Sequence, residues 1–156
     1  GSEAERREAY VERMTSVAEL LATRGVAEFA SHIANGDSRA PMRRKKPDEW
    51  RAATERLAGL SAMGLIHTLE QVQLRRSSLL EYEQELKRLR VPTLLVAGDQ
   101  DAAVMSTMQF LRRSIPGAGL KVYPWSGHTL NMEECDSFNL DVKSFFDAIE
   151  SQEGKK

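Results

Sequence analysis

The sequence predicts a helix-rich α/β protein, and three features of its 156 residues indicate that class. Apolar side chains recur at helical spacing through residues 1–90. From Pro92 onwards, two short apolar runs alternate with helical patterns, which is typical of a β-α-β-α unit with parallel strands. Hydrophobic residues make up 41% and charged residues 29% of the chain, a balance that can bury a core.

The first part of the chain is expected to hold five helical segments with short links. Gly25 should end the first helix and Asn35-Gly36 the second. Pro47 suits the start of the third. Ser78 and Glu81 have the spacing of a capping box at the start of the last segment. Residues 36–47 combine turn-forming residues with four consecutive cations, so we expect a solvated surface loop there.

Two strands are predicted in the second part. Residues 93–97 form an apolar run between Pro92 and Gly98-Asp99, as in a strand that is buried on both faces. Residues 120–123 form a second, weaker strand signal. Two parallel strands cannot make a stable sheet alone, and each leaves an edge whose backbone groups need partners. The sequence therefore predicts that part of a sheet is missing, and that dimerisation or a complementary segment completes it.

Titratable residues follow both predicted strands. Gly98-Asp99-Gln100-Asp101 comes after the first strand, and Ser126-Gly127-His128 comes after the second. Ligands and catalytic groups of α/β folds lie at the carboxyl ends of such strands. A carboxylate and an imidazole on neighbouring strand ends can form a hydrogen bond that fixes the imidazole tautomer, so that the free ring nitrogen can serve as a general base.

These motifs resemble a known family. The stretch VPTLLVAGDQDAAV, followed by IPGAGLKVYPWSGHTLNMEE, is similar to the C-terminal segment of α/β-hydrolase-fold enzymes. The resemblance implies a helical cap-like region at 1–90 and the β-α-β-α end of the hydrolase core at 91–152. It also implies that Asp101 is the acid and His128 the base of a catalytic triad. Asp99 then corresponds to a residue that supports the turn, although it is also the main alternative to Asp101 as the triad acid. Glu133 or Glu134 corresponds to an acid that holds the histidine loop.

The nucleophile of the family is missing from the sequence. A strained strand-to-helix elbow, often Gly-x-Ser-x-Gly, carries it and precedes the acid and the histidine in the chain. Ser61, in Gly59-Leu60-Ser61-Ala62-Met63-Gly64, is the nearest imitation, but a helical pattern precedes it. The resemblance thus implies a hydrolase of carboxylic esters or related C–O, C–C, epoxide or halide bonds, represented by its cap and acid/histidine half and inactive alone.

Other functional classes fit the sequence less well. The alternative to a hydrolase is a non-catalytic, homo-oligomerising module derived from the same fold. A net charge of -1 argues against a nucleic-acid binder, and no apolar run approaches the length of a membrane span. The single Cys135 cannot form an internal disulfide, which suits the cytoplasm. His32 and His67 fall on helices without metal-ligand spacing, so a metal role is not expected for them. The resemblance implies neither a metal nor an organic cofactor. The expected partners are a small apolar substrate and either a second copy or a complementary amino-terminal half.

Overall fold

A computed structural model describes residues 3–153, and it confirms the predicted class: a helix-rich α/β chain with one parallel pair of strands. The chain divides into two compact units. One unit contains the residues up to Gly36 together with Asp48–Glu81, and the other contains Asp37–Pro47 together with the residues from Tyr82 onwards. The predicted division near residue 90 refers to a complete family protein and stays a prediction.

The elements follow one another in a simple order. Helices of the first half are α1 (Glu3–Ala34), α2 (Ala40–Lys45), α3 (Pro47–Ala58), α4 (Ala62–His67) and α5 (Glu83–Leu86). The second half contains β1 (Leu94–Gly98), α6 (Ala102–Ser114), β2 (Gly119–Tyr123), α7 (Leu130–Glu133) and α8 (Cys135–Glu153). A π-helical turn at Thr68–Gln73 and 3₁₀ turns at Asp37–Arg39 and Leu79–Tyr82 complete the description.

The first unit is a helical layer with its own apolar core. Val17, Leu21, Phe29 and Leu69 are buried together, and they bring α1 against the segment that follows α4. Gly25 interrupts α1 with a positive φ of 81°, so the predicted helix end is present as a kink between two straight parts. Because L side chains rarely adopt that conformation, glycine suits this position.

The second unit is built on the two strands. β1 and β2 pair in parallel, with Leu94 opposite Gly119 and Gly98 opposite Tyr123, so that both strands end at the same edge of the sheet. Leu111, Ile115 and Ala118 form a buried cluster beneath them. Each strand leaves one edge without a strand partner among residues 3–153, as the sequence predicts.

Charged and aromatic side chains fasten β2 to α8. The Tyr123 hydroxyl donates to an Asp141 carboxylate oxygen at 2.5 Å, and the Lys121 ammonium lies 2.5 Å from the same oxygen. Burial, the hydrogen bond and the nearby negative charge of Asp141 raise the pKa of Tyr123 to about 12. These contacts fix the strand that leads into the histidine loop.

The expectation of a surface loop at residues 36–47 is wrong. Residues 37–45 form a 3₁₀ turn followed by α2, and Pro41 and Met42 are buried. Pro41 occupies the first turn of α2, where its missing N–H costs no hydrogen bond. Turn-forming residues and cations favour a loop locally, but Pro41 and Met42 are buried against the loop around Gly127 and Thr129 within the same unit, and this packing favours the helix.

The helix predicted to start at Ser78 is a 3₁₀ turn at Leu79–Tyr82 followed by the four-residue α5, and its predicted cap is present in part. Ser78 N–H donates to Glu81 Oε1 at 2.9 Å, which is one half of the expected capping box. None of the helices within residues 3–153 is long and apolar enough to cross a membrane.

Candidate active site

Asp101 stands at the carboxyl end of β1. The strand ends at Gly98, and Asp101 N–H donates to the Gly98 carbonyl at 3.1 Å, which closes a tight turn before α6 begins at Ala102. The side chain of Asp101 is nearly buried, since the residue is only 3% exposed. A carboxylate in such a place needs hydrogen-bond or charge partners.

His128 supplies that partner from the loop after β2. Its Nδ1 lies 2.6 Å from Asp101 Oδ2, so the two side chains that sequence reasoning singled out are in direct contact. Opposite an ionised carboxylate, which only accepts hydrogen bonds, a neutral imidazole carries its proton on Nδ1 and has Nε2 as an acceptor. The imidazole is 49% exposed, so Nε2 can reach a reacting group. This arrangement holds one tautomer and stabilises the imidazolium after proton uptake.

The two turns approach so closely that Gly98 has no room for a side chain. A Cβ at this position would lie 2.2 Å from the Ser126 carbonyl oxygen and 2.4 Å from the Gly127 carbonyl oxygen. Backbone bonds reinforce the approach, since Gln100 N–H donates to Ser126 O at 2.9 Å. Asp99 also joins the two turns, because its Oδ1 accepts the Ser126 N–H at 3.3 Å. This contact agrees with the expectation that Asp99 supports the turn.

Glu133 holds the backbone of the histidine loop from inside. The residue is 4% exposed, and its carboxylate accepts the Gly127 N–H at 2.7 Å and the Thr129 N–H at 3.0 Å. These two amides flank His128. A buried carboxylate that accepts several backbone N–H groups is a strong, geometrically specific tie.

Glu134 faces a different partner. Its Oε1 accepts the Ser126 hydroxyl at 2.9 Å and forms an ion pair with Lys45 of α2. Lys45 also donates to the Ser126 hydroxyl oxygen at 3.0 Å. The hydrogen bond from Lys45 is the main reason that the pKa of Glu134 is lowered. Sequence reasoning offered Glu133 or Glu134 as the acid that holds the loop, and both contact it.

Residues 37–47 touch the histidine loop along its backbone as well. His128 N–H donates to the Ser38 carbonyl at 2.8 Å. A Cβ on Gly127 would lie 2.1 Å from that same carbonyl oxygen, so glycine allows the close contact. The segment is therefore part of the site, which local sequence patterns did not reveal.

Arg39 adds a positive charge to this region. Burial lowers the pKa of its guanidinium, and the negative charge of Asp101 acts in the opposite direction. Arginine stays protonated in proteins, so Arg39 keeps its positive charge in this region. A half-buried cation beside a buried carboxylate offsets part of the cost of removing that carboxylate from water.

Ser61 lacks the setting of a nucleophile in this structure. It caps α4, where its hydroxyl accepts the Gly64 N–H at 3.3 Å, and the helix α3 precedes it where an elbow requires a strand. His32 and His67 are exposed helix residues. Across the described part of the chain, His, Cys, Asp and Glu side chains nowhere form a group of three that could hold a metal ion.

Three comparisons with known proteins show what this chain is similar to. RutD of Klebsiella pneumoniae, a proposed carbamate hydrolase, is 28% identical over 111 residues, which are 66% of this chain and 41% of RutD. Carboxylesterase YbfK of Bacillus subtilis is 37% identical over 65 residues, 40% of this chain and 22% of YbfK. The structure of MenH from S. aureus superposes with a TM-score of 0.83 at 17% identity, over 95% of this chain and 55% of MenH. No family model matches the chain.

The coverage of these relatives is partial. The chain spans about two fifths of RutD and just over half of MenH. The structure of an enol-lactonase from Burkholderia xenovorans is also matched only in part, with a TM-score of 0.73 over 86% of this chain and 50% of the lactonase.

Proposed function

We propose, for a chain that has the carboxy-terminal part of the α/β-hydrolase fold, that Asp101 and His128 are the acid and the base of a hydrolase. The fold is shared with the relatives above, and the motifs in the sequence already resembled that family. The observation that carries the functional proposal is the 2.6 Å contact between His128 Nδ1 and Asp101 Oδ2, at the carboxyl ends of two neighbouring parallel strands.

The proposed chemistry begins with transfer of a proton to the unprotonated Nε2 of His128. Asp101 accepts the Nδ1–H, so Nε2 can take a proton from a hydroxyl nucleophile or from a hydrolytic water. The positive charge that then forms on the imidazole lies beside the buried Asp101 carboxylate, which stabilises it. Returning the proton to the leaving group releases it and leaves the acyl group on the nucleophile, and a water that Nε2 deprotonates then frees the acid. With an Asp nucleophile, as epoxide and halide substrates would need, the halide leaves as an anion or the epoxide oxygen takes a proton from water, and the water activated by His128 hydrolyses the resulting enzyme ester.

The nucleophile belongs to a segment that this sequence does not contain. A strand-to-helix elbow with Ser, Asp or Cys would have to lie near Nε2, and backbone N–H groups beside it would hold the oxyanion. RutD and MenH contain about half their length or more beyond the part that this chain matches, which leaves room for such a segment. We therefore propose that the chain alone is inactive, that a complementary amino-terminal half completes it, and that the complete protein works in the cytoplasm on a small apolar substrate.

The exposed apolar side chains of the second unit support a completing partner. Trp125 is 70% exposed, Leu140 65% and Phe146 56%, in the same unit as the unpaired strand edges. In relatives about twice as long, additional chain is available to pair with such edges. A second copy of this chain is the alternative occupant, and it would make the protein a non-catalytic, homo-oligomerising module.

The first experiment reads the coding sequence upstream of residue 3 and assays its product. We expect a strand–elbow–helix segment there, and turnover of a chromogenic short ester by the longer protein. His128→Ala should lower kcat/KM by roughly 10³-fold or more, as loss of a triad base does. His67→Ala, at an exposed histidine outside the site, is the matched control. Turnover that survives His128→Ala contradicts the proposal.

A second measurement separates the two occupants. Sedimentation of the isolated 156-residue chain should show a monomer, and a serine-directed fluorophosphonate should leave it unlabelled. A stable dimer at low concentration, together with no elbow upstream, would favour the oligomerising module. Labelling of the isolated chain that depends on Ser61 would show that the nucleophile assignment is wrong.

A further inference from the structure

We propose that Lys45 is a positioning residue for His128, acting through Glu134 and Ser126. The inference rests on the proposed function only for its catalytic meaning. The contacts themselves lie in the isolated chain and can be tested there. Lys45 is one of four consecutive cations that the sequence predicts to lie in a solvated loop. Nothing in the local sequence distinguishes Lys45 from the other three.

The ammonium group of Lys45 joins two residues that are distant in sequence. It pairs with Glu134 Oε1 and donates to the Ser126 hydroxyl at 3.0 Å, and the Ser126 hydroxyl in turn lies 2.9 Å from Glu134 Oε1. Ser126 is fully buried, and the charged side chains are only 26% and 28% exposed. A pair with this much shielding, closed by a third hydrogen bond, is worth more than an exposed surface pair.

Successive residues of the histidine loop contact the same segment. Gly127 packs on the Ser38 carbonyl, His128 N–H donates to it at 2.8 Å, and the Thr129 hydroxyl lies 3.2 Å from Met42 Sδ. Met42 is buried, so this end of the segment is anchored by packing. Lys45 fastens the other end, one helical turn further along α2.

The imidazole of His128 depends on this support because its own side chain is half exposed. Its place beside Asp101 is set by the loop backbone and by one hydrogen bond. Movement of the loop by a few tenths of an ångström would lengthen that bond, and positioning of this precision governs catalytic rates. Lys45 thus contributes to the tautomer that leaves Nε2 free.

The experiment compares Lys45→Met with two variants of the full 156-residue chain. Lys143→Met is the matched control, since Lys143 also forms an ion pair, with Asp147 at 2.6 Å, but on the exposed face of α8. Lys45→Arg keeps the positive charge, so its His128 exchange rate and imidazole shifts should stay close to those of the parent chain. Native-state amide exchange and imidazole ¹⁵N shifts report on His128 in each protein.

We expect Lys45→Met to speed exchange of the His128 amide roughly fivefold to tenfold, the size expected when a partly shielded charged hydrogen bond is lost. Amides of the β1–β2 ladder should keep their rates. The ¹⁵N shifts should move from the Nδ1–H tautomer toward the mixture of a solvated imidazole, as they should in Asp101→Asn. Lys143→Met should leave both readouts unchanged.

Equal His128 exchange and tautomer in Lys45→Met and in the parent chain would overturn the inference. If Lys45→Met does not fold, Glu134→Gln removes the same ion pair from the other side and must give the same local effect. These readouts need no substrate. A chain that shows the expected changes but belongs to an inactive protein would leave the positioning role standing and remove only the proposed hydrolysis.

Discussion

Replacing Gly98 by alanine should displace the histidine loop from the acid. A Cβ at residue 98 would lie 2.2 Å from the Ser126 carbonyl oxygen, 0.8 Å inside the 3.0 Å distance below which real Cβ contacts essentially do not occur. The second obstacle is the Gly127 carbonyl oxygen at 2.4 Å. Both obstacles are backbone atoms, so no side-chain rotation can relieve the clash, and one of the two turns has to move.

The cost follows from that movement. Overpacking of a tight site costs about 1–3 kcal/mol. The displaced loop also weakens the bond from Gln100 N–H to Ser126 O, and a buried hydrogen bond of this kind contributes about 1 kcal/mol. We therefore expect Gly98→Ala to lower the free energy of unfolding by about 2–4 kcal/mol. Gly119→Ala is the control, because its Cβ would meet only Leu94 Cδ1 at 3.7 Å, and it should be neutral or stabilise by up to about 1 kcal/mol.

Urea unfolding of the second unit, followed through backbone signals of residues 94–123, measures both changes. Imidazole ¹⁵N shifts of His128 in the same samples show whether the bond to Asp101 survives. If Gly98→Ala and Gly119→Ala agree within about 0.5 kcal/mol, and His128 keeps its tautomer in both, the close approach of the two turns does not hold the site together.

Two further predictions concern pH. Lys45 lowers the pKa of Glu134, so the ionised carboxylate stabilises the fold at pH values above the ordinary pKa of glutamate. This stabilisation is lost as the pH falls through the lowered pKa. The Glu134 carboxyl ¹³C signal should titrate below the ordinary range of glutamate, and its pKa should rise in Lys45→Met. Unchanged titration in that variant would contradict the reasoning. The pKa of Tyr123 is raised to about 12, so its neutral phenol stabilises the fold fully at pH values below the ordinary pKa of tyrosine. That stabilisation is lost as the pH rises toward 12. An ultraviolet titration should show a step near pH 12 that vanishes in Tyr123→Phe, and a step that persists in the variant would belong to another group.

Much of the fold could be predicted because its signals are local. Helical spacing, Pro47 and the glycines at 25 and 36 mark the helices, and the two apolar runs mark the strands, with boundaries close to those observed. The rule that parallel strands end at one edge predicted that the turns at 98–101 and 126–128 are neighbours, and the family resemblance chose Asp101 over Asp99 as the partner of His128. Their catalytic roles remain predictions.

The support of the site could not be predicted in this way. Lys45 meets its partners across 81 and 89 residues of sequence, and such contacts leave no periodic trace. The burial of Pro41 and Met42 likewise depends on a surface that a local window does not contain. The need for glycine at 98 and 127 is visible only once the facing carbonyl groups have positions.

The path of the chain has a consequence for anyone who wishes to shorten this protein. The backbone passes from one compact unit to the other after Gly36, after Pro47 and after Glu81. A gene fragment that starts at residue 90 would encode Asp101 and His128 yet discard Ser38 and Lys45, so screens of such truncations would test this pair without the segment that contacts the histidine loop. A minimal version should graft residues 37–47 back onto the carboxy-terminal piece, and the linker used for that graft then becomes the variable to engineer.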